Sequence, residues 1–126
     1  KTWTRSCGRA LIQRGEKRVT GFDVVAPKRA RDLPDAVFLK GSITDYSAVR
    51  SACEGVDVVF VTAAIIRYME RLDWQYADNH AVNVVGTANV IQACVECGVQ
   101  TLIQTSSSNV CIAPGLARQG MDESSP

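Results

Sequence analysis

Three consecutive serines, Ser106, Ser107 and Ser108, come directly after a short apolar stretch centred on Leu102 and Ile103. An apolar run of this kind, following a helix-stopping glycine at Gly98, reads as a strand of a parallel sheet. In such sheets ligands sit just outside the carboxyl ends of the strands. Ser106, Ser107 and Ser108 occupy that location. Serines at a strand end also act as turn residues that bond nearby backbone, so the triplet takes its meaning from the rest of the chain.

Asp23 is the second residue with a chemical reading. It stands near the end of an earlier apolar run, and an acidic residue at that place in a dinucleotide-binding fold bonds the adenosine ribose hydroxyls. Its charge disfavours a 2′-phosphate, which argues for NAD over NADP, although Lys28, Arg29 and Arg31 follow closely. A solvated loop acid would look the same. Cys94 and Cys97 have CxxC spacing, but they lie late in a helical pattern, without a second pair and with one histidine in the chain. Zinc takes about four ligands, and a redox pair belongs at a helix N-terminus, so a structural role is expected. His80 opens a helical stretch with no partner motif. Trp74 and Tyr76 read as packing anchors before pocket walls.

The elements that must hold these residues alternate. Residues 9–14 have helix-forming composition and Gly15 stops them, while residues 1–8 suggest nothing regular. Residues 17–26 form a short strand ended by Pro27, and residues 36–40 form another. Asp45 caps a helix over 46–53. Residues 56–64 are the strongest strand, with an apolar run that suits burial on both faces. Residues 65–78 are a mixed connection, 79–97 a long helix, and 101–104 the last strand. Helix, strand, strand, helix, strand, helix, strand implies an α/β fold with a parallel sheet and right-handed crossovers.

Composition excludes little beyond the extremes. The chain has 126 residues, 46% hydrophobic and 21% charged, with net charge +1. One domain or less is expected, and neither nucleic acid nor an anionic membrane is indicated as a partner. No apolar run nears the ~20 residues of a membrane span. The five cysteines are odd in number and mostly lie in apolar patterns, which suggests reduced core thiols and an intracellular setting, cytoplasmic or at the cytosolic face of an internal membrane.

Six stretches, in order, resemble the extended short-chain dehydrogenases, close to the 3β-hydroxysteroid and sterol dehydrogenase branch and to the NAD-dependent epimerases and dehydratases. They are CGRALIQRG, GFD, KGSITD, ACEGVDVVFVTAA, NVVGTANVIQACVECGV and LIQTSSSNV. The resemblance spans about Gly8 to Pro126. It implies a partial Rossmann-type doubly wound parallel sheet and a bound NAD. By position, Gly8 would end the phosphate loop and Asp23 would hold the adenosine ribose. Ser42 and Ile43 would border the adenine, with Ser42 standing where the family usually has Asp. Ala63 and Ala64 would lie against the cofactor, Asn83 near its nicotinamide side, and Ser108 would hydrogen-bond the substrate oxygen.

The family's base and lysine form a Tyr-x-x-x-Lys pair. Here Tyr46, Tyr68 and Tyr76 are followed four residues later by Arg50, Leu72 and His80. The first strand and most of the glycine loop are not seen either. The expectation is therefore residues 1–126 as part of an NAD-binding domain, inactive alone. Its parent would be an oxidoreductase of a steroid or sterol-like hydroxyl or ketone, with a homodimer as one open assembly. A sugar-nucleotide epimerase, dehydratase or reductase, or a non-catalytic remnant of the nucleotide fold, are the alternatives. In the 3-2-1-4-5 strand order the first strand is central, so its absence would leave the strands around 19–25 and 56–63 each with an unpaired edge.

Overall fold

The computed structural model describes residues 3–16, 18–25, 36–66 and 72–107. Helix α1 (Trp3–Gln13) leads into strand β1 (Val19–Asp23), which is followed by β2 (Ala36–Lys40), α2 (Tyr46–Cys53) and β3 (Val58–Val61). Helix α3 (Asp73–His80), a π-helical turn (Ala81–Gly86) and α4 (Thr87–Cys97) run on without a break, and β4 (Thr101–Gln104) comes last. The order of helices and strands is the expected one, and the fold is α/β.

Local chemistry accounts for most boundaries. Asp45 caps α2: its Oδ1 accepts from the Ala48 N–H at 3.2 Å and from the Ser47 hydroxyl at 2.8 Å. These donors, Ser47 first, hold its pKa below 3.8, because they favour the charged form. Helix α4 ends at Gly98, in the left-handed region at φ 71°, and the Val99 N–H donates to the Cys94 carbonyl at 2.9 Å. That six-to-one closure satisfies a carbonyl the helix would otherwise leave open.

Three expectations need correction. Residues 3–8 are helical, not irregular; the helix formers Arg9, Ala10, Leu11 and Gln13 carry α1 back through Gly8, whose cost against alanine is about 1 kcal/mol. The connection after β3 becomes helical at Asp73, six residues before the expected start. Strand β3 is not buried on both faces. Val59 and Leu102 pack onto the core, whereas Val58, Phe60 and Ile103 are 43%, 39% and 45% exposed.

Among the described residues, strand pairing is parallel. β1 pairs with β2 in the register Val19 to Ala36 through Asp23 to Lys40, and β3 pairs with β4 from Val58 to Thr101 through Val61 to Gln104. These are two separate two-stranded sheets. Among the described residues β1 and β3 each keep an edge without a strand partner, as the topology argument expects. Arg18 Nη2 lies 3.9 Å from Asp57 Oδ2, joining the residues just before β1 and β3, so the two sheets start on the same side.

The core lies between helices α2 and α4 and the inner face of β3–β4. Val49, Cys53, Val61, Val90, Ala93 and Cys94 are its buried members. The cysteines act there as small apolar residues: burial, first of all, pushes the Cys53 thiol up to about 12, and burial also raises Cys94. Cys97 is half-buried and its thiol donates to the Arg50 carbonyl at 3.6 Å. The structural reading of the CxxC pair agrees with these positions.

Candidate functional site

The carboxyl ends of the strands supply the candidate residues. β1 ends in Asp23, whose Oδ1 accepts from the Val25 N–H at 3.2 Å. The Asp23 carbonyl accepts from the Gly41 N–H at 3.0 Å, which brings the loop after β2 beside it. Gly41 is required by packing: a Cβ there would lie 2.5 Å from the Phe22 ring. A wider residue would require the Phe22 ring or the loop to shift.

Ser42 and Ile43 follow. The Ser42 Oγ lies 2.7 Å from Thr44 Oγ1 and accepts from the Thr44 N–H at 3.2 Å, a turn typical of short hydroxyl residues. The Ile43 side chain packs onto the core and sits against Gly86, where a Cβ would lie 2.6 Å from it. Its carbonyl accepts from Asn89 Nδ2 at 2.9 Å. Ile43 therefore borders the rim with its backbone, and its side chain anchors the loop.

Beyond β3, Ala63 and Ala64 are exposed. The next residue is held firmly: the Ile65 N–H donates to Asn83 Oδ1 at 2.8 Å, and Asn83 Nδ2 donates to the Ile65 carbonyl at 2.9 Å. Asn83 thus spends both amide atoms on backbone. Beyond β4, the Thr105 N–H donates to the Val61 carbonyl at 3.0 Å, and Ser106 and Ser107 are exposed. Ser108 lies outside the described residues.

Two expected positions change meaning. Gly8 is inside α1 and buried, so it offers no loop backbone to a phosphate. Asn83 holds the loop that carries Ala63 and Ala64. Tyr46 is no proton acceptor in waiting: the neighbouring Glu96 carboxylate, then burial, push its phenol up to about 12. Sequence reasoning passed over Gly86 and Asn89. The available signal was a glycine and an asparagine, both poor helix formers, three residues apart inside a helix.

The rim fits the adenosine side of a dinucleotide. An acidic side chain ends β1, and Gly41, Ser42, Ala63 and Ala64 are small enough for a flat ligand to approach backbone. The described residues contain no glycine-rich cradle for the diphosphate.

The sequence model of the 3-beta hydroxysteroid dehydrogenase/isomerase family matches residues 5–124. The chain belongs to this family. A 3 beta-hydroxysteroid dehydrogenase/Delta 5-->4-isomerase of Mycobacterium tuberculosis is 38% identical over 119 residues, covering 92% of this chain and 31% of that protein. Among solved structures, a short-chain dehydrogenase/reductase superfamily protein of Agrobacterium tumefaciens with bound NAD is similar at TM-score 0.71 and 27% identity. That match covers 85% of this chain and 30% of the other. A double mutant of the dTDP-glucose 4,6-dehydratase DesIV of Streptomyces venezuelae, with NAD and DAU bound, gives 0.71 and 25%, covering 96% and 41%. The 3-beta hydroxysteroid dehydrogenase/isomerase family is thus represented here by a stretch about a third as long as the curated relative, with the Rossmann-type fold of the short-chain dehydrogenases.

Proposed function

We propose that this chain supplies the dinucleotide-binding part of an NAD-dependent oxidoreductase that acts on the 3β-hydroxyl or ketone of a steroid or sterol-like substrate. The observation that carries the reading is Asp23 at the carboxyl end of β1, beside the Gly41–Ser42 turn, in a chain of this family. Asp23 holds the adenosine ribose and disfavours a 2′-phosphate, so NAD is preferred to NADP. Ser42 and the Ile43 backbone border the adenine. Ala63 and Ala64 leave room for the dinucleotide against the backbone after β3.

Bound NAD supplies the hydride acceptor. Ser108, just past the β4 end, orients the substrate oxygen and stabilises its charge through its hydroxyl. No tyrosine of the chain has a lysine four residues on, so the proton acceptor is not assigned to a residue here. The nucleotide-sugar alternative uses the same half of the site; the 38% identity to a steroid dehydrogenase favours the sterol reading.

The test is turnover by the intact protein with NAD, read as NADH formed from a 3β-hydroxysteroid and, in parallel, as product formed from a nucleoside-diphosphate sugar. The sterol reading expects turnover of the steroid, and Ser108→Ala to lower kcat by about a hundredfold or more, as for loss of an oxyanion donor. Turnover of the sugar nucleotide alone, or a Ser108→Ala variant as fast as wild type, would overturn it.

A further inference from the structure

The loops after β2 and β3 belong to different sheets, and among the described residues no strand pairing joins those sheets. One continuous helical run, α3 to α4, reaches both. Asn83 holds the Ile65 backbone by two hydrogen bonds. Asn89 holds the Ile43 carbonyl, and Gly86, midway between them, admits the Ile43 side chain. Asn83 and Asn89 are six positions apart, which is about 120° around an ideal α-helix, so one helix can address two separate loops. The π-turn at Ala81–Gly86 contains Asn83 and sets its phase relative to Asn89. Such turns insert one residue into an α-helix and recur at functional sites.

We propose that this helix is a brace: Asn83 and Asn89 are positioning residues that together set the distance between loop 41–44 and loop 62–66, and thereby the width of the dinucleotide cleft. Neither needs to touch the ligand. Each acts through backbone that does, and small displacements of positioned groups weaken binding steeply. The effect on affinity rests on the NAD reading above; the mechanical coupling of the loops does not.

The experiment has two readouts on the intact protein: amide hydrogen exchange of both loops without nucleotide, and NAD affinity. Asn83→Ala should speed exchange at Ile65 and also in loop 41–44; Asn89→Ala should do the reverse pairing. Each should weaken NAD by about tenfold, the scale of one lost hydrogen bond. The double variant should be little worse than either single one, because a brace cut at one end no longer fixes a distance. Independent anchors would multiply the two losses. Removing Val85, which takes the extra residue out of the π-turn, should reproduce the Asn83→Ala exchange pattern. The brace is overturned if each variant loosens only its own loop, or if the two affinity losses multiply. Failure of the wild type to bind NAD would instead remove the NAD reading, and the exchange data would still decide the brace.

Discussion

Single side chains at the rim do separable jobs. Gly86 is closely packed: a methyl group there would meet Ile43 at 2.6 Å, with two of its carbons at that distance. Gly86→Ala is expected to cost about 1–3 kcal/mol through overpacking, read as a lower Tm, and Gly86→Ala combined with Ile43→Val should recover part of it. An unchanged Tm for the single variant would mean that the loop yields freely. The place of Asp23 at the end of a strand could be read from the apolar run before it, and β1 ends there. Asn89 could not be read in this way, because an asparagine inside a helix gives no hint of which carbonyl it will meet 46 positions earlier in the chain. Asn83 was expected near the nicotinamide, whereas its observed partner, the backbone of Ile65, depends on how the loop after β3 returns to the helix.

At the scale of elements, the caps and stops were readable, and the starts of α1 and α3 were not. Asp45, Gly15 and Gly98 act through local hydrogen bonds or backbone freedom, so the sequence shows them directly. Helix α3 begins at Leu72 without a side-chain cap, and nothing local marks its start. The Asp45 cap makes a pH prediction. A carboxylate whose folded pKa lies below its unfolded value adds stability that is full above 3.8 and is lost as pH falls through the folded value. Asp45→Ala should therefore lower Tm at neutral pH, and its deficit against wild type should shrink in acid below that value. A deficit that stays constant into strong acid would contradict the cap. The α2–α4 packing makes another. Cys53 and Cys94 are buried with raised thiol pKa values, and the thiolate is the reactive form. Both should resist alkylation in the native protein and react once it is unfolded; rapid labelling of either under native conditions would show that α2 and α4 separate readily.

For the whole molecule, the two sheets explain both what was legible and what was not. The alternation of strands and helices gives a parallel α/β fold, and the 3-2-1-4-5 order anticipates that β1 and β3 do not pair. The apolar run 56–64 suggested a strand covered twice, but periodicity cannot say whether anything lies over Val58, Phe60 and Ile103. Strand edges and apolar faces left open in this way favour association. The 126-residue chain by itself is expected to melt over a broad range and to exchange the amides of β1 and β3 early; a sharp cooperative transition would contradict this. The proposed function places the adenosine half of a dinucleotide against Asp23, Ser42, Ile43, Ala63 and Ala64. The most direct measurement of that claim is a titration of the intact protein with NAD and NADP, in wild type and in Asp23→Asn. Wild type should bind NAD more tightly than NADP. The variant should lose about tenfold in NAD affinity, as for a lost hydrogen bond to a charged group, and the gap between the two nucleotides should narrow. Equal binding of the two by wild type, or an Asp23→Asn variant with unchanged NAD affinity, would contradict the account.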